Sequence, residues 1–396
     1  MTPAPATVAR RLRVVRWPIT VVAGCVLWAV ASALPAGGAT VPALPASGVS
    51  TADGSWSTLP MGQLTDQSNT FWELLHAVPG SSRWTLVTPE GTADNGGLVA
   101  GVSGNAVAAG VLPSALLHFS PLSSSNDGGA SWMPVFLPGA LARSADALAI
   151  ETSGTPAGLA VLRDGTVVAA AKTLSSWAPL VSTAVLRRAA PSCDVSAIAA
   201  VAFSAAGAPL VATGCERGGR VGLFSQTDGS WHGAGPALTT GRRGAAGVVR
   251  LETSGGATTL LATVGGTGHR ALEVASTQND SVWTMSAPFP LPSADSLRAS
   301  AVGADGRVAV LVGMPKSKRA VFEVAPGGRA WSSLPQPPSG ATGLALPADP
   351  PTMDAPPVDV FSVNGSALRV FELTPSGANW SRVQTTQVPI SYGSSS

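Results

Sequence analysis

Charged residues are scarce in this chain: they make up 12% of its 396 residues, about half of their usual share in a soluble domain. Apolar residues make up 45%, which excludes a charged disordered chain, and Glu- and Lys-rich heptads are missing, which excludes a coiled coil. The 45 Gly and 33 Pro argue against a mostly helical protein, because both residue types break helices. The composition therefore predicts an all-β protein of many short strands joined by tight turns.

The first 33 residues carry the pattern of an export signal. Four arginines with no acidic residue near them precede an apolar stretch, Trp17–Leu34, and Ala31-Ser32-Ala33 fits the small-x-small rule for cleavage. Two alternatives stay open: the stretch is long enough for an uncleaved membrane anchor, and Val22-Ala23-Gly24-Cys25 resembles a lipobox that would lipidate Cys25. All three interpretations place the folded part outside the cytoplasmic membrane, which it would contact only through residues 17–34.

Without the signal the chain is slightly acidic. The whole sequence has 24 basic and 22 acidic residues, and removing the four leader arginines leaves 20 against 22, a net charge of −2. Nucleic-acid binding needs a clustered basic surface on the mature domain, so we expect no nucleic-acid partner. Residues 34–52, rich in Pro, Ala, Gly and Ser, predict a linker, and residues 393–396 predict a disordered tail.

Tryptophan supplies an internal repeat. Seven Trp residues follow one another at intervals of 45 to 54 residues, the length of one four-stranded propeller blade: Trp84, Trp132, Trp177, Trp231, Trp283, Trp331 and Trp380. The flanks repeat as well, since Asp53-Gly54-Ser55-Trp56 recurs as Asp228-Gly229-Ser230-Trp231.

The residues between successive Trp divide into strands. One unit reads as Leu297–Val302, Arg307–Val312, Ala320–Ala325 and Ala330–Leu334, with Asp305-Gly306 as a hairpin turn. Six such units fill residues 88–384, and a seventh, irregular unit precedes them. We expect the tail Val388-Pro389-Ile390 to add a strand to that first unit and so close the ring. The sequence therefore predicts a β-propeller over residues 53–392 with six or seven blades, and it favours seven.

One segment carries a family resemblance. Ser125-Asn126-Asp127-Gly128-Gly129-Ala130-Ser131-Trp132 matches the Asp-box, S-x-D-x-G-x-[ST]-W, of the sialidase-like propellers, with Ser125, Asp127, Gly129 and Trp132 at its defining positions. In that family the boxes lie on the outer rim, so the resemblance implies a structural role. The stretch Trp84–Leu98 and the Leu-Pro pairs after several Trp also resemble secreted actinobacterial propellers of unassigned function.

Sialidase chemistry does not follow from this resemblance. The family uses three arginines, a Tyr–Glu pair and an acid/base Asp, whereas the only Tyr here, Tyr392, lies four residues from the C-terminus. We therefore carry over no catalytic residue, and the catalytic residues stay unknown. Glu90 and Asp94 are candidate carboxylates, although turn statistics favour a plain turn in Thr88-Pro89-Glu90-Gly91. The four His are scattered, so we expect no metal site and no cofactor, and His118 in an apolar strand is more simply a core residue.

The two cysteines after the leader predict a disulfide. Cys193 and Cys215 flank a hairpin, Val195–Phe203 and Pro209–Thr213, that turns around Ala205-Ala206-Gly207. An oxidising compartment outside the membrane favours the bridge, and the alternative is two free buried thiols.

Loop charges predict where a ligand binds. In a propeller, the links between blades share one face with the turns between second and third strands, and most mature basic residues fall into these two loop classes. We take five of them as candidate ligand-binding residues: Arg217, Arg220, Arg242, Arg243 and Arg270. Arginine grips carboxylate and phosphate, so the expected partner is an anionic envelope polymer, an acidic sugar or an acidic protein.

Two functions fit this sequence. The first is an extracytoplasmic, non-catalytic binding or scaffold propeller, and the second is a glycan-active hydrolase of the sialidase-like superfamily. A central pocket lined by two facing carboxylates would favour the hydrolase, and one lined by Arg and small polar residues would favour binding.

Overall fold

A computed structural model of the chain describes residues 46–64, 70–90, 97–112, 122–137, 145–152, 157–162, 164–171, 173–215, 221–236, 238, 246–265, 270–279, 281–348, 358–374 and 377–388. The chain divides into two units, Met1–Ala39 and Thr40–Ser396, and the described residues all belong to the second. The predicted signal, its alternative lipidation at Cys25 and the C-terminal tail lie outside the described residues.

The described residues form seven consecutive units of four antiparallel strands, which we number blades 1 to 7. The strands of blades 1 to 3 are β1 Ala46–Thr51, β2 Gly54–Gly62, β3 Thr70–Ala77, β4 Thr85–Leu86, β5 Leu98–Ser103, β6 Ala106–Val111, β7 Leu122–Ser125, β8 Met133–Val135, β9 Ala145–Ile150, β10 Gly158–Leu162, β11 Thr166–Ala170 and β12 Trp177–Ser182. The helix α1, Thr183–Ala189, links blade 3 to blade 4.

Blades 4 to 7 repeat the pattern, with one short extra strand, β21, beside the third strand of blade 5. Their strands are β13 Val195–Phe203, β14 Pro209–Cys215, β15 Gly222–Thr227, β16 Ser230–Gly233, β17 Ala246–Ser254, β18 Ala257–Val264, β19 Arg270–Thr277, β20 Thr284–Met285, β21 Phe289–Leu291, β22 Ser296–Val302, β23 Val308–Gly313, β24 Arg319–Val324, β25 Trp331–Ser333, β26 Ala341–Ala345, β27 Asp359–Asn364, β28 Ala367–Leu373 and β29 Trp380–Gln387. The predicted propeller is therefore confirmed, and the described blades number seven.

The repeated Trp residues mark the outermost strand. Each of the seven lies in the fourth strand of its blade or directly before it. In blades 5, 6 and 7 the indole N–H donates to a backbone carbonyl of the preceding blade, over 2.9 to 3.2 Å; the pairs are Trp283 to Ala234, Trp331 to Ala287 and Trp380 to Pro335. The Trp period thus reflects a contact that ties each of these blades to the one before it.

The core lies between the blades. Six apolar clusters of described residues each combine side chains of adjacent blades, as where Leu159 and Val161 of blade 3 pack with Phe203 and Val211 of blade 4. Alternation along each strand produces this arrangement, because both faces of a blade meet a neighbour. Within the described ranges, no helix has the length and apolarity that crossing a membrane requires.

The first strand of the propeller is closely packed against strands of blades 6 and 7. β1 pairs in parallel with β22, the innermost strand of blade 6, although blade 7 follows blade 6 in the chain. A Cβ on Gly48 would lie 2.5 Å from the carbonyl oxygen of Leu344 in blade 7 and 3.1 Å from Ala301 Cβ in blade 6. Only small residues allow three inner strands to approach this closely. The predicted linker 34–52 is therefore wrong from Ala46 onward, and the propeller begins before residue 53.

The ring closes without exchange of strands between blades 1 and 7. β29 pairs with β28 inside blade 7, and blade 1 is complete with its own four strands. The predicted extra strand from the tail is therefore wrong for Val388, and the next two residues of that tail lie outside the described residues. Among the described residues, the seam between the two blades is instead closed by side chains and by one backbone bridge, in which the N–H of Gly62 donates to the carbonyl of Gly365.

Candidate functional site

The innermost strands of blades 1 to 5 end around a cavity of about 240 Å³. Its wall consists of residues 51–53, 101–104, 148–151, 202–205 and 252–256. An innermost strand runs from the link between blades toward the turn that leads to the second strand. The cavity therefore opens on the face that carries these first turns, which we call the lower face, and the links between blades occupy the upper face.

Glycine and small residues make room for this cavity's wall. A Cβ on Gly101 in blade 2 would lie 2.8 Å from Ala149 Cα in blade 3, so these inner strands meet backbone to backbone. Gly104 has φ +59°, and a Cβ there would lie 2.4 Å from Oδ2 of Asp53, so the Asp53 carboxylate crosses from blade 1 onto the first turn of blade 2. The close approach of backbones positions the polar groups at the strand ends.

Three carboxylates from three blades line the cavity: Asp53, Glu151 and Glu252. Asp53 is exposed, and its backbone N–H donates to Thr51 Oγ1 over 3.2 Å. Glu252 and Arg250 both lie on β17 and form an ion pair of 2.8 Å. Burial raises the pKa of Glu252, and the Arg250 guanidinium opposes that rise.

The hydroxyl groups around the cavity are used to hold its turns. Ser204 Oγ accepts the backbone N–H groups of Ala206 and Ala208, each over 3.2 Å. Ser254 Oγ of blade 5 donates to the backbone carbonyl of Ser50 in blade 1. The hydroxyls thus fix the wall, and its ionisable side chains among the described residues are the three carboxylates.

These carboxylates do not form a metal centre. In the part of the chain that the structure describes, no group of three or more His, Cys, Asp or Glu side chains is placed to hold one metal ion. Of the histidines, His76 is buried and stacks on Trp56 with 4.1 Å between ring centroids, and burial lowers its pKa. His118 lies outside the described residues.

The predicted anion-binding residues lie on the upper face where the structure describes them. Arg270 begins β19, is exposed, and donates from Nη2 to the carbonyl oxygen of Asp295 over 3.1 Å. Arg187, a basic residue of the link between blades 3 and 4 that is not one of the five candidates, lies in α1 and donates from Nε to the carbonyl oxygen of Val195 over 2.6 Å. Four of the five candidates, Arg217, Arg220, Arg242 and Arg243, lie outside the described residues, as does Asp94. The anion-binding face stays a prediction.

The turn between β7 and β8 organises around Asp127. Ser125 Oγ donates to Asp127 Oδ1 over 2.7 Å, and the backbone N–H of Ser131 donates to the same oxygen over 2.9 Å. The Ser131 hydroxyl, then Ser125, holds the pKa of the Asp127 carboxyl down at about 2. Gly129 has φ +84°, which suits glycine. Trp132, next to this turn, has an indole N–H without a hydrogen-bond partner among the described residues. The turn lies on the lower face in the outer half of blade 2, away from the cavity wall.

Cys193 and Cys215 form a disulfide within blade 4. Val195 pairs with Cys215 in the β13–β14 ladder, and the hairpin turns with Gly207 at φ +77°. Both cysteines are buried, so the bridge is shielded from solvent.

Sequence reasoning missed the three cavity carboxylates. They share one position in the repeat, the last residues of an innermost strand or the turn after it, whereas they share no motif in the linear sequence. Aligning the seven units on their Trp residues and comparing the first turns would have brought Asp53, Glu151 and Glu252 together.

The comparisons with known proteins show the fold. No family model matches the chain, and no curated protein matches it. Solved propellers do match: the lectin BP39L from Burkholderia pseudomallei is 14% identical, with a TM-score of 0.50 over 89% of this chain and 99% of the lectin. The polysaccharide lyase Uly1 is 10% identical, with a TM-score of 0.49 over 79% of this chain and 84% of the lyase. YCF48 bound to a D1 peptide is 14% identical, with a TM-score of 0.45 over 81% and 89%. At 14% identity the likeness to the lectin shows the β-propeller fold alone.

Proposed function

We propose that this protein is an extracytoplasmic, non-catalytic binding or scaffold propeller whose ligand enters the cavity on the lower face. The observation that carries the proposal is the convergence of five innermost strands on one cavity with carboxylates from three blades. Concave sites where several elements meet are the usual ligand sites of proteins, and function is a property of such a site more than of the fold. The export pattern and the buried disulfide support a location outside the cytoplasm, because structural disulfides persist in oxidising compartments.

The chemistry of the wall selects the ligand class. The ionisable residues of the wall, Asp53, Glu151 and Glu252, are all acidic, and Phe203 is the aromatic residue in the wall. A group that donates several hydrogen bonds and carries positive charge fits this surface, and an anion does not. We therefore propose an amine-bearing or hydroxyl-rich small group, such as one sugar ring, as the ligand.

Three sugars of nearly equal size test this proposal: glucosamine is cationic, N-acetylglucosamine is neutral, and glucuronate is anionic. In isothermal titration of the wild type we expect affinity to fall in that order. Asp53→Asn should weaken glucosamine binding by about tenfold, the loss of one charge-assisted contact of about 1.4 kcal/mol. Glu90→Gln, at an exposed carboxylate outside the cavity wall, is the matched control and should bind as the wild type does. Equal binding by all variants, or tighter binding of glucuronate, would contradict the proposal.

A glycan-active hydrolase of the sialidase-like superfamily is the second candidate, and the cavity carboxylates favour it. If the Asp127 turn is an Asp-box, as its residues indicate, the chain belongs with these propellers. Against catalysis, a general acid must deliver a proton, and Glu252 is held by Arg250 as an ion pair. We expect no reducing sugar to be released from a cell-wall polysaccharide extract. Release that disappears in Glu252→Gln would establish the hydrolase instead.

A further inference from the structure

Trp84 makes several of the contacts across the seam between blades 1 and 7. Its backbone N–H donates to Gln384 Oε1 of β29, and its carbonyl accepts from Gln384 Nε2, both over 2.8 Å. Its indole N–H donates to Asp359 Oδ2 of β27 over 2.7 Å, and its ring packs edge-on against Phe361 with centroids 4.9 Å apart. Where blades 4, 5 and 6 each offer a backbone carbonyl to the repeated indole of the next blade, blade 7 offers a carboxyl group.

The Asp359 side chain has little exposure to water and few hydrogen-bond partners for a charged group. It is 4% exposed, and its second oxygen, Oδ1, has no hydrogen-bond partner among the described residues. Glu372 lies directly opposite on β28 and is the ionisable group that acts on it. Arg83 beside Trp84 and Arg382 on β29 are exposed to water. A buried carboxylate with one donor is costly, whereas a neutral carboxyl group tolerates this environment.

Burial raises the pKa of Asp359 to about 7 despite the Trp84 hydrogen bond, and the Glu372 carboxylate acts in the same direction. In an opened seam this carboxyl group would titrate near its ordinary value of 3.8. The closed seam therefore binds the proton more tightly than the open one. The stability that this proton gives to the closed seam is fully present below about pH 4 and declines as the pH rises toward 7.

We propose that the seam is a pH-sensitive clasp, closed while Asp359 is protonated and loosened when its carboxylate forms between blades 1 and 7. Opening lets water solvate the carboxylate and releases the contacts of Trp84 with β29. The ring then responds to the surrounding pH at the contact between its first and last blades.

Hydrogen exchange and carbon-13 NMR of the full chain test the clasp. The Asp359 carboxyl signal should titrate with a midpoint about 3 units above that of an exposed aspartate. After correction for intrinsic rates, opening at the Trp84 and β29 amides should increase roughly 80-fold between pH 5 and pH 8. Asp359→Asn, which mimics the neutral group, should remove this pH dependence, and Glu372→Gln should keep it with a lower midpoint.

Asp295→Asn serves as the control, because Asp295 lies in the link between blades 5 and 6, away from the seam, and should behave as the wild type. An ordinary midpoint near 4 for Asp359 overturns the proposal, as does pH-dependent exchange that survives in Asp359→Asn. If Asp359→Asn does not fold, the carboxyl titration and the exchange of the wild type decide the question alone.

Discussion

Removing the disulfide of blade 4 should lower the stability of the propeller by a calculable amount. Cys193 and Cys215 are 22 residues apart, and closing a loop of that length in the unfolded chain corresponds to about 3 kcal/mol in the chain-entropy model. The propeller has about 340 residues, so its unfolding entropy near the transition is about 0.7 kcal/mol per degree. We therefore expect Cys193→Ala/Cys215→Ala to melt about 4 °C below the wild type in calorimetry.

Three further measurements separate the crosslink from other effects. Cys193→Ala alone also lacks the bridge, so its melting temperature should equal that of the double variant. Reductant should leave the disulfide of the native protein intact at low temperature, because both sulfurs are buried. Titration of the unfolded, unreduced full chain should find one thiol, that of Cys25. A double variant as stable as the wild type, or two further free thiols in the unfolded wild type, would refute the reasoning.

Two substitutions test the packing between blades, each with a matched control. Gly48→Ala should cost about 2 kcal/mol in urea unfolding, because its Cβ would meet the Leu344 carbonyl oxygen at 2.5 Å, whereas Gly233→Ala has no atom within 4 Å of the new Cβ and should be nearly neutral. Trp283→Phe should cost about 1 kcal/mol by losing its hydrogen bond to the preceding blade, while Trp132→Phe, whose N–H lacks a partner among the described residues, should cost less. Equal losses within either pair would contradict the packing argument.

The fold could be predicted from the sequence because each blade repeats its outermost strand. A Trp such as Trp331 covers the joint to the preceding blade, so its spacing measures the blade itself. The Asp305-Gly306 turn was visible for a local reason: Gly306 adopts φ +84°, and Asp305 Oδ1 accepts the N–H two residues later. Contacts that a strand makes with itself or its next turn leave a signal in the sequence.

Contacts between distant strands leave a weaker signal. β1 was taken for a linker because its residues, Ala-Ser-Gly-Val-Ser-Thr, are small and include few apolar side chains. At Gly48 the small residue is required by crowding against Ala301 and Leu344, which only the assembled ring brings near. The cavity carboxylates were missed for the same reason, since Asp53 and Glu252 are neighbours only in the ring. The upper-face arginines could be assigned to a face, but loops alone do not show which guanidinium groups bond to backbone carbonyls, as that of Arg270 does.

The parallel pairing of β1 with β22 also sets a waiting time during synthesis. About 250 residues separate the two strands, so at 5–20 residues per second a ribosome completes β22 roughly 10 to 50 seconds after β1. Throughout that interval β1 has an unsatisfied edge, the kind of segment that pairs with other chains when it is apolar. The small and hydroxylated residues that fit β1 into the finished ring also give it little apolar surface to expose while it waits. One composition thus serves both the assembled propeller and the nascent chain.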